Sequence, residues 1–247
     1  MEWQDRGIVL SARLHGETAA VVTVLTPEHG RHLGLVHGGG SRRAAGVLQP
    51  GNEVAVRWRA RLEEHLGSFA CDLVRSHAAA VMDDPLRLAG LSAACATVEF
   101  ATPERAPVPA VYETFAALLA AMPGEDWAEH YARWELTLLA ELGFGLDMEA
   151  CAATGVTEGL AYVSPRTGRA VSAEGAGPWR EKLLPLPAFL LDAGRRASAA
   201  EVSEALRLTG HFLEHHAAAL TAKPVPAART RLVDALHRKT TISGPPT

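Results

Sequence analysis

Lysine is nearly missing from this 247-residue chain: Lys182, Lys223 and Lys239 are the only lysines among 24 basic residues. That shortage reads as compositional bias and carries no functional weight. Cysteine is scarce too. Cys71, Cys95 and Cys151 are odd in number and far apart, so they suggest buried thiols and no disulfide framework. No stretch offers the roughly 18 uninterrupted apolar residues of a membrane span, so no membrane partner is expected. The opening "MEWQDRGIVLSARL" carries Glu2 and Asp5 and lacks the apolar centre of a signal peptide. It reads as mature from its first residue, which implies a cytoplasmic location. Neither a Walker phosphate loop with its lysine nor a G-x-G-x-x-G fingerprint is present.

What the chain does hold is an ordinary globular balance, 48% apolar and 21% charged, at a length that suits one large domain or two smaller ones. The net charge of −4 argues against a uniformly basic nucleic-acid protein but hides a local excess. Between residues 29 and 61, Arg31, Arg42, Arg43, Arg57, Arg59 and Arg61 face a single acid, Glu53. Phosphate binding depends on local charge, so this window is a candidate footprint.

Residues 6–76 read as five short strands: "GIVLSARL", "AAVVTVLT", "HLGLVHG", "EVAVRWRARL" and "GSFACDLVRS". Five strands in about 70 residues predict a small closed barrel. In "EVAVRWRARL" the period of two sets Val54, Val56, Trp58, Ala60 and Leu62 on one face and Arg57, Arg59 and Arg61 on the other. Trp58 is thereby expected inside the barrel. After residue 80 the period becomes helical. Asp83 and Asp84 precede Pro85 as helix-start acids, and Trp127, Tyr131, Trp134, Leu138 and Leu142 form a stripe expected to pack as core. Residues 144–187 are irregular and rich in Gly and Pro, with a small hairpin expected at "GLAYVSPRTGRAVS". The final "TTISGPPT" reads as a frayed tail.

Gly38, Gly39 and Gly40 run into Ser41, Arg42 and Arg43. A nucleotide cradle needs a helix directly after its glycines, and here Gly46, Pro50 and Gly51 interrupt the following segment. Two readings stand: a hairpin loop with solvated arginines, or backbone amides and guanidinium groups gripping a sugar-phosphate strand. A second basic cluster, Lys223, Arg229, Arg231, Arg238 and Lys239, is either a solvated helix face, an extension of such a sugar-phosphate contact or a dock for an acidic peptide tail. His211 and His215 share a helical face, but no third metal ligand accompanies them.

The run "LHGETAAVVTVLTPEHGRHLGLVHGGGSRRAAGVLQPGNEVAV" resembles the N-terminal domain of the bacterial recombination mediator family RecO. "RWELTLLAELGFGLDMEAC" and "LAYVSPRTGRAV" resemble that family's middle region, and "HFLEHHAAALTAKPVPAARTRL" its C-terminal signature. The resemblance implies a DNA repair protein with no enzymatic turnover, an OB-fold joined to a helical domain, and binding of single- and double-stranded DNA with strand annealing. It also implies action with RecR, docking of the acidic C-terminal tail of the single-strand-binding protein, and indirect help in loading RecA. Many members hold zinc through cysteines in the middle region. Here Cys151 stands at the first ligand position, but Thr154 and Ser172 stand where thiolates are expected. One cysteine cannot make a four-ligand site, so no metal or other cofactor is expected, and Leu160, Tyr162 and Val171 are expected to hold the insert by packing.

The sequence therefore predicts an α+β protein with an OB-type barrel at 1–80 and a helical domain at 81–247. Expected DNA contacts are Arg31, Arg42, Arg43, Arg57, Arg59 and Arg61, with Lys223, Arg229 and Arg231. The alternative is a scaffold for RecR and the single-strand-binding protein with weak direct DNA contact.

Overall fold

The computed structural model describes residues 1–242, without the side chains of Leu220 and 240–242. The chain forms two compact units, Met1–Glu125 with Pro226–Arg229, and Asp126–Val225 with the chain from Thr230 onward.

The first unit is built on β1 (Glu2–His15), β2 (Ala19–Thr26), β3 (Gly30–Val36), β4 (Glu53–Arg59) and β5 (Ser68–Arg75), closed in the order β1-β2-β3-β5-β4. This is the OB-type barrel that the strand pattern predicts. β1 is long enough to serve two partners: Glu2–Ile8 pairs with β4, and Ile8–His15 with β2. A register shift between Val9 and Ser11 marks the bend between them. A short parallel join, Leu35 opposite Ser68, completes the ring. Alternating apolar residues point inward, and Val9, Val22, Val24, Val54, Val56, Trp58 and Phe69 form the interior. Between β3 and β4 lies α1 (Arg42–Val47), capped by the Ser41 hydroxyl, which accepts from the Ala44 amide.

Three more helices belong to this unit: α2 (His77–Val81), α3 (Pro85–Ala101) and α4 (Pro109–Ala121). Asp84 caps α3, its Oδ1 accepting from the amides of Leu86 and Arg87, and Pro85 occupies the first turn. α3 packs on β1 and α4 on β2, and Glu99 on α3 accepts from the hydroxyls of Ser11 and Thr23. This packing carries the first compact unit to Glu125, whereas the change of sequence period falls near residue 80.

The second unit contains α5 (Trp127–Glu141), β6 (Leu160–Val163), β7 (Ala170–Ser172), β8 (Leu184–Pro185), α6 (Ala199–Phe212), α7 (Ala218–Thr221) and most of α8 (Ala227–Ile242). Trp127, Tyr131, Trp134 and Leu138 are buried as the stripe predicts, and α5 packs on α6. Ser198 and Glu201 form a capping box at the start of α6. The insert is a three-stranded sheet, β7-β6-β8, with Leu160 and Val171 buried and Tyr162 half-buried. Of the expected tail, residues 240–242 continue α8 and 243–247 lie outside the described residues. No helix among the described residues is long and apolar enough to cross a membrane.

Candidate nucleic-acid interface

β4 has the burial alternation its sequence dictates: Val54, Val56 and Trp58 face in, while Ala55, Arg57 and Arg59 face out. The indole of Trp58 is 1% exposed, and its Nε1 donates to the Leu66 carbonyl at 3.0 Å. Arg61 does not continue the row, because the ladder runs out before it. Arg59 pairs with Glu2 on one side and Ser68 on the other, and the next amide, Ala60, bonds the Met1 carbonyl. Arg61 is thus exposed on the β4–β5 connection. Arg43, from α1, joins Arg57 and Arg59 in lining a single cleft of about 890 Å³, with His37, Ser41 and Asp72 among the other walls. Arg42 is exposed on the same short helix without lining that cleft.

The amides of Gly39, Gly40 and Ser41 are spent inside the protein. Gly39 N–H donates to Val36 O at 3.2 Å, Gly40 N–H to Thr18 O at 3.0 Å and Ser41 N–H to Gly38 O at 3.0 Å. The loop is a tight internal turn, and each glycine has its own reason or none. Gly38 has φ +71°, which an L side chain resists. A Cβ on Gly39 would come within 2.7 Å of the Ala20 methyl, whereas Gly40 meets only ordinary contacts at 3.4 Å or more. A backbone grip on phosphate would therefore have to do without the amides of Gly39, Gly40 and Ser41. What the loop offers phosphate is the guanidinium groups that follow it.

Other expected contacts are placed differently. Arg31 is half-buried, its Nε donating to the Thr102 carbonyl at 3.0 Å, and its backbone bridges Glu104 and Arg105. It ties β3 to the segment after α3. Arg229 is 4% exposed, so a strand in solvent has no access to it. Burial at one side of a helix sets this, and net charge counting is blind to it. Lys223 and Arg231 are exposed.

Sequence pattern alone gives no hint of Glu2, yet this residue governs the site's charge. It is paired with Arg59 in the β1–β4 register; its Oε2 accepts from Arg59 Nη2 at 2.8 Å and Nε at 3.2 Å, and its Oε1 lies 4.0 Å from Arg57 Nε. The Arg59 hydrogen bond, with the charges of both arginines, holds its carboxyl below the usual range. An acid at the second residue acquires meaning only when strand pairing sets it opposite Arg59. Glu2 would compete with any phosphate for both guanidinium groups, so if this cleft takes a nucleic-acid backbone, Glu2→Gln is expected to raise the affinity and steepen its salt dependence by up to about one unit of slope. Salt-titrated binding of a labelled oligonucleotide checks this, and an unchanged affinity would count against it.

The middle region can be tested against zinc by its donors. Ser172 donates to Cys151 Sγ through its backbone at 3.2 Å and its hydroxyl at 3.3 Å, and Gly175 N–H donates to Ser172 Oγ at 3.1 Å. Burial by itself would push the Cys151 thiol up, but hydrogen bonds from Ser172, the Thr154 hydroxyl and the Ala153 amide bring it to about 6. One thiol, two hydroxyls and a glycine do not fit a structural zinc site; hydrogen bonds onto the sulfur close this knuckle instead. His211 and His215 stack with centroids 4.0 Å apart. One nitrogen of each faces a carbonyl, His211 Nε2 at Pro165 O (3.2 Å) and His215 Nδ1 at His211 O (2.7 Å), which requires N–H donors there and leaves those two atoms no lone pair for a metal.

Known proteins share this chain's sequence across both units. Residues 1–77 match the family model described as Recombination protein O N terminal, and residues 82–223 match Recombination protein O C terminal. The chain is 58% identical to the DNA repair protein RecO of Rhodospirillum centenum, over 99% of this chain and 98% of the relative. It is 52% identical to that of Ruegeria sp. strain TM1040 (97% and 100% covered) and 50% to that of Rhodospirillum rubrum (96% and 97%).

Proposed function

The chain belongs to the recombination protein O family of DNA repair proteins, and on that footing we propose that it binds single- and double-stranded DNA and turns over no small molecule. The observation that carries this is the convergence of Arg43, from α1, with Arg57 and Arg59, from β4, on one cleft of the barrel. Guanidinium forks match phosphate oxygens. With Arg42 and Arg61 exposed on neighbouring segments, the site neutralises backbone charge without touching base edges. Two complementary strands so screened repel less while their bases stay free to pair, which is strand annealing. Family membership supports the wider role: cooperation with RecR, docking of the single-strand-binding protein's acidic tail on the helical unit, and indirect help to RecA. A cytoplasmic location goes with this role.

The test is a chain with Arg43→Ala, Arg57→Ala and Arg59→Ala. All three are solvent-facing, so the fold is expected to survive. Affinity for a single strand is expected to fall more than about tenfold at low salt, and the slope of log K against log salt to become shallower by about two. Unchanged affinity and slope would overturn the assignment.

A scaffold reading has an observation of its own. Glu2 partly neutralises Arg57 and Arg59, Asp72 lines the cleft, and the amides of Gly39, Gly40 and Ser41 are spent internally. On that reading the triple substitution leaves DNA binding weak as before while binding of an acidic tail peptide persists.

A further inference from the structure

We propose that Trp179, with Arg180 and Lys182, forms a separate contact site for single-stranded nucleic acid on the second unit. An unpaired base lies on the indole, and the two cations meet flanking phosphates. The proposal rests on DNA being the ligand of this chain, but not on the barrel cleft.

Trp179 sits on a short 3₁₀ turn, Gly177–Lys182, and is 62% exposed. The other four tryptophans are placed otherwise: Trp58, Trp127 and Trp134 are buried and Trp3 is half-buried in an aromatic cluster. An indole left in water forgoes the burial that the rest of the chain gives this residue type. The backbone that carries it is tied down, the Trp179 amide donating at 2.9 Å to the carbonyl of buried Ala176.

The cations beside it are arranged against rings. Lys182 Nζ lies 5.0 Å from the Trp179 ring centroid, and Arg180 Cζ 5.7 Å from that of Tyr162. Neither Arg180 nor Lys182 forms an ion pair among the described residues, although Glu181 separates them in the chain. This contrasts with Arg57 and Arg59, which share Glu2. Lysine stands over the indole while the residue as a whole stays 62% exposed. A flat ring flanked by unpaired positive charge is the combination used to hold single strands, with stacking for the base and charge for the backbone. At 62% exposure the indole offers a ring to solvent, which suits a base laid flat better than a peptide side chain that needs walls around it. Duplex DNA, whose bases are stacked on one another, gains nothing from it.

The experiment titrates the full-length protein with oligothymidylate while reading tryptophan emission, and in parallel measures binding of labelled single and double strands. Oligothymidylate is expected to quench the wild-type emission. Trp179→Phe, which keeps a stacking ring, is expected to lose that quenching yet bind within about twofold of wild type. Trp179→Ala is expected to bind single strands about fivefold or more weakly, with duplex affinity unchanged. Arg180→Ala with Lys182→Ala is expected to do the same with a shallower salt slope. Wild-type single-strand affinity in Trp179→Ala overturns the proposal, as does an equal loss for duplex. An emission response to polyglutamate but not to oligothymidylate also overturns it and assigns the surface to an acidic peptide. Wild-type affinity in the Arg43/Arg57/Arg59 triple variant would count against the cleft and leave this site standing; wild-type affinity in Trp179→Ala removes this site and leaves the cleft.

Discussion

A chain carrying Thr154→Cys, Ser172→Cys and Gly175→Cys is expected to take up one zinc ion per molecule, where the wild type takes up none. The four positions form two pairs of x-x spacing, and the fold already brings them together. Ser172 touches Cys151 Sγ through two donors, Thr154 donates to the same sulfur, and a Cβ on Gly175 would lie 2.8 Å from that sulfur. That last distance is too close for two side chains without a metal. It is relieved when Cys151 turns toward a shared ion, since zinc–sulfur bonds of about 2.3 Å set the sulfurs further apart. The apo variant is accordingly expected to be less stable than wild type. Saturating zinc at about a thousandfold over its dissociation constant adds about 4 kcal/mol, and a chelator reverses the gain. Elemental analysis with denaturation in the presence and absence of zinc checks both parts. Substoichiometric zinc in the triple variant would show that the knuckle holds its shape by hydrogen bonds too different from a metal's tetrahedron.

Trp58→Ala is expected to cost the barrel about 3–5 kcal/mol, the range for removing a fully enclosed tryptophan. Trp58 is among the largest fully buried side chains, stacks with Trp3 at 5.8 Å and meets His32 edge-on at 4.9 Å. Its Nε1 hydrogen bond also fixes the β4–β5 connection at Leu66, which Arg105 clasps through the carbonyls of Glu63, Glu64 and His65. His32 stays neutral in this setting. Burial, with the charges of Arg105 and His29 adding, pushes it down to about 4, so the cluster presents rings without charge. Trp58→Phe keeps most of the volume and loses the hydrogen bond, and is expected to cost only about 1 kcal/mol. Urea denaturation of both variants gives the comparison. A loss below about 1 kcal/mol for Trp58→Ala would mean the barrel collapses around the gap.

The barrel was legible because its signal is local. Arginine alternates with buried valine and tryptophan along β4, and turn residues separate five runs of similar length. The α5 stripe and the Asp84 cap were legible for the same reason. Features that depend on a distant partner were not. The length of β4 is set by where β1 begins to pair with it, so Arg61 falls outside a row that its own spacing continues. The amides of Gly39 and Gly40 are spent on Val36 and Thr18, and Thr18 lies in a different hairpin. Arg31 is claimed by Thr102, and Arg229 by burial. Ser41 was a helix cap in plain sight, but Gly46 and Pro50 make the six residues of α1 read as loop. The first unit ends at Glu125 because α3 and α4 lie on β1 and β2, a matter of packing that no change of period records.

The inward-turned amides of the glycine loop set the character of anything held beside them. A cradle of backbone N–H groups fixes an anion at one spot, because its donors cannot move. In this cleft the donors are Arg43, Arg57 and Arg59, each at the end of a long side chain that can follow a phosphate as it shifts. If the cleft holds a DNA strand as proposed, such arms give that strand no fixed register on the protein. It would then slip by one nucleotide and find the same contacts again, the freedom that the proposed annealing of two strands requires.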